Sequence, residues 1–216
     1  MRTAPGLDSR SGPSGSDLER IDLNEVVLAL SDALDLVGTQ VVQHGKRVAF
    51  MAAACGRSLS LEEGERTDLL LAAVLHDCGV STTRLHRKLL DADLSFEEAH
   101  GHADAGGDLL AEFEPLARVA AIVRLHHTPW DSPTSREAGP RTALLANLVF
   151  LADRVDALLQ SHRERDPLLE TDEIRRWVYA RSGTSFAEEA VGAFLQASAA
   201  SAPVPLPPMV AAATKC

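Results

Sequence analysis

The chain has 216 residues, of which 45% are hydrophobic and only 4% are aromatic. This length suits one domain with a sizeable core, and an interior filled by Ala and Leu rather than by aromatic side chains favours packed helices over sheets. The net charge of −10, from 21 basic against 31 acidic residues without any long run of Lys or Arg, argues against duplex nucleic acid as a partner.

The cysteines and the two ends of the chain predict a soluble, cytoplasmic protein with a single folded domain. The three cysteines are odd in number and lack the paired spacing of a zinc ribbon or a redox motif. Neither a signal peptide nor an 18-residue apolar stretch stands out, which predicts no membrane association. Residues 1–20 and 200–216 are rich in Ser, Pro, Gly or Ala, so we expect disordered tails around a domain spanning 21–199.

Hydrophobic periodicity predicts an all-α domain, a bundle of about eight helices, and no segment competes as a strand. The predicted helices span 22–37, 39–58, 61–77, 95–113, 115–128, 140–162, 170–182 and 185–199. The segment from Gly79 to about Asp93 lacks clean periodicity. We therefore predict a loop with a short helical piece there.

Histidine and aspartate occur on the inner face and at the end of the second and third predicted helices. His44 is placed mid-helix, and Val48 and Cys55 follow it on the same face. His76 and Asp77 close an apolar helix, where a buried carboxylate is costly unless a cation or hydrogen bonds compensate its charge. Each has a plainer interpretation, since a lone inward histidine is more often a core residue and a lone helix-end aspartate is commonly solvated.

The same residue types recur later in the chain. His126 and His127 close another apolar helix, where two adjacent histidines are an odd choice for packing. Asp153 lies in a strongly apolar helical stretch, where it is either a ligand or forms an ion pair with Arg154 or with an arginine on another helix. Imidazole and carboxylate together can hold two transition-metal ions that activate a water against a phosphoester. The set therefore predicts a di-metal site.

The order and spacing of these residues resemble the HD superfamily of metal-dependent phosphohydrolases over residues 40–159. His100 and His102 compete for one position, and His102 is chosen because Gly106 follows it in a His-x-x-x-Gly element like that of HD-domain phosphohydrolases. His102 and the later histidine doublet place the chain near the HD-GYP type of cyclic di-GMP phosphodiesterase. The resemblance implies an all-α HD-domain fold.

The resemblance also implies an assignment of the ligands to two divalent ions, iron or manganese, bridged by Asp77. The first ion would be held by His44, His76, Asp77 and Asp153, and the second by Asp77, His102, His126 and His127. Asp77 and His76 would be catalytic. In the implied mechanism, a hydroxide between the ions attacks phosphorus in line.

Two departures from the HD-GYP pattern affect the substrate side of the site. The Gly-Tyr-Pro element is missing after His127, and Val80 stands where the family has a lysine thought to contact the substrate phosphate. Arg84, Lys88 and Arg154 are the nearest basic residues that could take over this contact, although each could equally be a solvated or ion-paired residue.

By this resemblance we expect hydrolysis of a cyclic dinucleotide or a related nucleotide phosphoester, with cyclic di-GMP as the leading substrate. Two alternatives stay open. The chain could be a catalytically weakened signalling module that binds a nucleotide, or a mixed-valent di-iron oxygenase, and ligand identity cannot separate an oxygenase from a hydrolase.

The first predicted helix carries more apolar surface than one core contact requires. Its apolar residues are Ile21, Leu23, Val26, Val27, Leu30, Leu34 and Val37. This pattern predicts a homodimer through the first helix, or a helix that simply caps the bundle.

Overall fold

A computed structural model describes residues 22–37, 43–80, 96–161 and 167–199. This part of the chain contains nine α-helices and a single-turn 3₁₀ helix but no strand, which confirms the predicted all-α fold. The helices are α1 (Leu23–Val37), α2 (His44–Gly56), α3 (Glu63–Leu75), α4 (Phe96–Ala111), α5 (Ala117–Leu125), α6 (Pro133–Glu137), α7 (Pro140–Ser161), α8 (Pro167–Tyr179) and α9 (Glu188–Ala199), with the 3₁₀ helix at Glu114–Leu116.

Eight of the nine helices correspond to predicted ones. The prediction that His44 lies mid-helix was wrong, because Gln43 has a left-handed backbone with φ of 67° and α2 begins at His44. Helix α6 was not predicted. It is a short helix that begins with Pro133 and is capped by Ser132, whose hydroxyl accepts a hydrogen bond from the backbone N–H of Ser135.

Several predicted features lie outside the described residues. These are the two tails, residues 1–20 and 200–216, and most of the predicted loop after Gly79. None of the helices in the described ranges is both long and apolar enough to cross a bilayer. On α1, Val26 and Leu30 expose 47% and 41% of their surface, and the predicted dimerisation through this helix stays a prediction.

Helix α7 forms the centre of the bundle. It is buried along most of its length, as expected of a helix that is apolar on nearly every face. Helices α2, α3 and α5 pack against it, α2 also pairs with α3, and α4 pairs with α5. Small and branched aliphatic side chains fill the contacts, among them Val48, Leu75, Val123, Leu151 and Ala152.

The turn that follows α3 approaches α4 closely through two glycines. A Cβ atom added at Gly79 would lie 2.1 Å from the carbonyl oxygen of His102 and 2.4 Å from the backbone nitrogen of Gly106. No side chain fits in this space, so glycine is required for the approach. The contact brings the turn that carries Asp77 against the helix that carries His102.

Asn147 fixes the segment before α9 to the central helix. Its Nδ2 donates a hydrogen bond to the carbonyl of Ser185 at 2.9 Å, and its Oδ1 accepts one from the backbone N–H of Ala187 at 2.8 Å. The backbone N–H of Trp130 donates to the same Ser185 carbonyl at 3.1 Å. Three separate segments of the chain therefore meet at one buried amide.

Candidate metal centre

The structure brings the seven predicted ligand residues into one buried cluster between α2, α4 and α7 and the turns after α3 and α5. They are His44, His76, Asp77, His102, His126, His127 and Asp153. Within the cluster, two sets of three residues each have ligand atoms within 4.8 Å of one another. The first group is His44, His76 and Asp77, and the second group is His102, His126 and His127.

Asp77 lies between the two groups. Its Oδ2 is 3.5 Å from Nε2 of His76 and 3.7 Å from Nε2 of His44, whereas its Oδ1 is 3.3 Å from Nε2 of His102. The two oxygens of one carboxylate therefore face different groups. A carboxylate placed in this way has the geometry to offer one oxygen to each of two cations.

Asp153 completes the first group and also forms the ion pair that was the alternative to its ligand role. Its Oδ1 is 3.3 Å from Nε2 of His44 and 3.8 Å from Nε2 of His76. Its Oδ2 accepts hydrogen bonds from Nη2 and Nε of Arg154 at 2.8 and 3.1 Å. Arg154 is buried and holds Asp153 in place, although it was predicted as a contact for the substrate phosphate. The other two predicted phosphate contacts, Arg84 and Lys88, lie outside the described residues.

The backbone fixes which nitrogen of two site histidines carries a proton. Nδ1 of His76 is 2.8 Å from the carbonyl oxygen of Ala73, and Nδ1 of His126 is 2.6 Å from that of Val123. A carbonyl can only accept, so both Nδ1 atoms are donors. Each histidine follows directly on the end of a helix, where the last carbonyls have no partner within the helix. Nε2 is therefore the atom that each of these rings directs at the cluster.

The first group presents more lone pairs than its atoms can satisfy among themselves. Nδ1 of His44 donates to Oδ2 of Asp156 at 2.7 Å, which leaves Nε2 of His44 facing Nε2 of His76 at 3.2 Å. Two lone pairs at this distance repel unless a positive species lies between them. Burial lowers the pKa of His44, but hydrogen bonds with Asp153 and Asp156 outweigh burial and raise the pKa to about 10. The protonated ring of His44 therefore donates from Nε2 towards Oδ1 of Asp153, and a bound cation would replace that proton.

The second group consists of imidazoles suited to metal binding. Burial, with its histidine neighbours, holds the pKa of His126 well below its usual range, and burial lowers the pKa of His127 to about 3. Both are therefore neutral near pH 7, which is the form that coordinates a metal. Nδ1 of His102 and Nε2 of His127 are buried without a hydrogen-bond partner in the described part of the chain. A cation would satisfy a buried atom such as Nε2 of His127, whereas His102 faces Asp77 and His126 through Nε2, which makes Nδ1 its outer nitrogen. This donor set fits a metal ion.

The carboxylates in the cluster are ionised. Burial opposes the charge on Asp77, but His76 and a hydrogen bond from His102 hold the pKa of its carboxyl well below its usual range. Burial likewise opposes the charge on Asp153, but the Arg154 guanidinium and a hydrogen bond with His44 together outweigh burial and hold the pKa of Asp153 well below its usual range. Both acids therefore present negative oxygens to the cluster.

Asp156 and Arg47 contact this cluster, although neither was predicted as a site residue. Asp156 is buried, and Nε and Nη2 of Arg47 donate to its two oxygens at 2.7 and 2.8 Å. Asp156 follows Asp153 by three residues, and Arg47 follows His44 by three. This spacing places Arg47 on the same helix face as His44, and Asp156 on the same face as Asp153, and it is the signal that could have revealed them.

The comparison with known families assigns the chain. Residues 41–158 match the model described as the HD domain. The chain belongs to the HD domain family. This confirms the family predicted from the sequence.

Curated relatives of this HD domain are longer proteins. The chain is 32% identical over 163 residues to the 3′3′-cGAMP-specific phosphodiesterase 1 of Vibrio cholerae, a match that covers 76% of this chain and 38% of the relative. It is 26% identical over 179 residues to a cyclic di-GMP phosphodiesterase of Thermotoga maritima, covering 80% of this chain and 48% of the relative. The chain therefore spans less than half the length of either relative.

A solved structure shows the same fold. The crystal structure of a cyclic GMP-AMP-specific phosphodiesterase of V. cholerae superimposes with a TM-score of 0.62, covering 81% of this chain and 48% of that chain. The two sequences are 21% identical, so the likeness concerns the arrangement of the HD domain helices.

Proposed function

We propose that this HD domain is a metal-dependent phosphodiesterase that hydrolyses a cyclic dinucleotide. The observation that carries the proposal is the position of Asp77, with Oδ2 towards His44 and His76 and Oδ1 at 3.3 Å from His102. A carboxylate between two groups of ligands supports a paired-metal site of the kind that serves phosphoester hydrolysis. The names of the curated relatives, phosphodiesterases of cyclic dinucleotides, support the substrate class.

In this proposal, two divalent ions divide the cluster between them. The first is held by His44, His76, Asp77 and Asp153, and the second by Asp77, His102, His126 and His127. When bound, the ions lower the pKa of a water so that it becomes a nucleophile and neutralise charge that develops at phosphorus. The mixture of imidazole and carboxylate suits iron or manganese, which we propose as the metals.

The residues of the chain supply orientation and charge. Asp77 and His76, adjacent in sequence, are the proposed catalytic pair, and Asp77 is the least buried of the seven ligand residues, with 16% of its side chain exposed. A substrate phosphate would therefore approach from the side of Asp77. Arg154 holds one oxygen of Asp153 and leaves the other for the first group.

Cyclic di-GMP is the proposed substrate on the basis of the family resemblance, and 3′3′-cGAMP is a second candidate because the relative at 32% identity is named for it. Both molecules carry two phosphodiester bonds in a ring, so the metal site alone does not distinguish them. Contacts from Arg84 and Lys88 to the substrate phosphates stay predictions.

Elemental analysis of protein purified without chelator, followed by hydrolysis assays on both dinucleotides without oxygen and with Mn²⁺ or Fe²⁺, tests this function. We expect about two ions per chain in the wild type, and loss of metal and hydrolysis in Asp77→Ala. Asp108→Ala is the matched control, because Asp108 is an exposed carboxylate of α4 whose partner is Arg124. We expect it to retain both metal and activity.

The other outcomes favour different functions. A metal-free wild type that stays inactive with added ions would refute the proposal. Bound metal with dinucleotide binding but no hydrolysis would favour the signalling module, and consumption of oxygen would favour the di-iron oxygenase.

A further inference from the structure

His44 differs from two other histidines of the cluster in what holds its outer nitrogen. His76 and His126 donate from Nδ1 to backbone carbonyls, whereas His44 donates from Nδ1 to the carboxylate of Asp156 at 2.7 Å. A backbone carbonyl is a neutral acceptor, and a carboxylate is an anion. The His44 ring therefore has a carboxylate at Nδ1, whereas its Nε2 faces His76 and Asp153 of the candidate site.

The position of His44 in its helix explains this difference. His76 and His126 follow the ends of α3 and α5, so each ring reaches back to the carbonyl three residues earlier. His44 is the first residue of α2, and the left-handed residue Gln43 precedes it. No helical turn lies before His44 to offer it such a carbonyl, and the acceptor comes instead from α7.

Asp156 is held firmly in this role. Arg47 donates to Oδ1 from Nε at 2.7 Å and to Oδ2 from Nη2 at 2.8 Å, and Asp156 is only 1% exposed. The guanidinium compensates a buried charge that would otherwise be costly. Two helices are thereby joined at the site, because His44 and Arg47 belong to α2 and Asp156 belongs to α7.

We propose that Asp156, oriented by Arg47, is a positioning residue that fixes the tautomer of His44 and strengthens its Nε2 as a ligand for the first ion. This inference rests on the proposed function. A carboxylate on the far nitrogen of a ligating histidine orients the ring and raises its basicity, and loss of such a partner typically lowers metal affinity about 10- to 100-fold.

The test is a Co²⁺ titration of the full chain after removal of bound metal, followed by visible absorption, in wild type and Asp156→Asn. Asparagine keeps the shape and can still accept a hydrogen bond but removes the anion. We expect the affinity for one of two ions to fall about 10- to 100-fold, with a changed Co²⁺ spectrum, while the other ion binds as in the wild type.

A second variant separates the hydrogen bond from the overall charge of the cluster. The double variant Arg47→Gln with Asp156→Asn removes one positive and one negative charge together and leaves neither charge of this pair uncompensated, so it is the safer variant to fold. We expect it to show the same selective loss for one ion. Far-UV circular dichroism of each metal-free variant confirms that it is folded.

Asp68→Asn is the matched structural control. Asp68 is buried and accepts hydrogen bonds from Nε and Nη2 of Arg118 at 2.8 and 3.3 Å. This pair joins α3 to α5, just as the pair of Arg47 and Asp156 joins α2 to α7. A purely structural role for Asp156 predicts that both substitutions act alike. We expect Asp68→Asn to leave Co²⁺ affinity and the spectrum unchanged.

Each result decides between the two proposals. If the wild type binds two ions and both Asp156 variants match its affinities within about twofold, the positioning role is refuted while the proposed function stands. If the wild type binds no Co²⁺, the proposed function itself fails, and the positioning role fails with it.

Discussion

The close approach at Gly79 predicts that one glycine holds the first and second groups of the candidate site together. Substituting alanine places a Cβ atom 2.1 Å from the carbonyl oxygen of His102 and 2.4 Å from the backbone nitrogen of Gly106. Both neighbours are backbone atoms of α4, which cannot rotate away as a flexible side chain would. The turn carrying Asp77 must therefore separate from α4.

The required movement is large compared with the tolerance of the site. Ordinary van der Waals contact begins near 3.4 Å, so a Cβ at 2.1 Å is short by about 1.3 Å. Overpacking of this kind costs about 1–3 kcal/mol or more, and we expect Gly79→Ala to lose about 3 kcal/mol of unfolding free energy. A ligand geometry is held to within about 0.5 Å, so the 3.3 Å approach of Asp77 to His102 should be lost.

Urea denaturation and metal content measured on the same preparations test this prediction. Gly101→Ala is the control on the same helix, because a Cβ there meets nothing within 4 Å. Alanine is favoured over glycine in a helix, so we expect this variant to gain about 0.5–1 kcal/mol and keep its metal. If Gly79→Ala is as stable as the wild type and binds two ions, the argument from close approach is wrong.

Three further predictions concern stability and assembly. Asn147→Ala removes one of the two hydrogen bonds to the Ser185 carbonyl and leaves the buried N–H of Ala187 without its partner, so urea denaturation should show a loss of about 1–3 kcal/mol, and a loss below about 0.5 kcal/mol would contradict the role assigned to this amide. Hydrogen bonds from Arg141 and the backbone lower the pKa of Glu65 from 4.5 to about 2, so this stabilisation is present above about pH 4.5 and lost towards pH 2. The difference in stability between wild type and Glu65→Gln should shrink over that window in a pH series, whereas a constant difference would exclude this ion pair as its source. Val26→Glu with Leu30→Glu should abolish a dimer through α1, and sedimentation of a purely monomeric wild type would rule that dimer out.

The residues of the candidate site were predictable because they conflict with their surroundings in the sequence. Asp153 interrupts a run of apolar residues, and Asp77 closes an apolar helix, so each is costly to bury without compensation. The doublet His126-His127 stands out for the same reason. Such conflicts between a polar residue and an apolar helix can be read without knowing which helices meet.

Contacts between helices were not predictable in the same way. The position of His44 at the start of α2 depends on the left-handed backbone of Gln43, which the apolar pattern does not report. The role of Asp156 depends on α7 approaching α2 closely enough for a bond of 2.7 Å. Hydrophobic periodicity predicts which side chains share the buried face of a helix. It does not predict which other helix packs against that face.

The charges of the site show why such a contact matters for the proposed chemistry. Arg47 pairs with Asp156, and Arg154 pairs with Asp153. Asp77 is a third acid without an arginine partner among the pairs described here, so the site carries one net negative charge when the histidines are neutral. Two divalent ions would change this to a net charge of three positive, a field that attracts a phosphodiester anion. If the arginines were absent, the acids alone would reduce that field by two charges. In the proposed site, Arg47 and Arg154 would therefore favour substrate binding as well as stabilise the fold, because each balances the charge of an acid that would otherwise offset the charge of the metal ions.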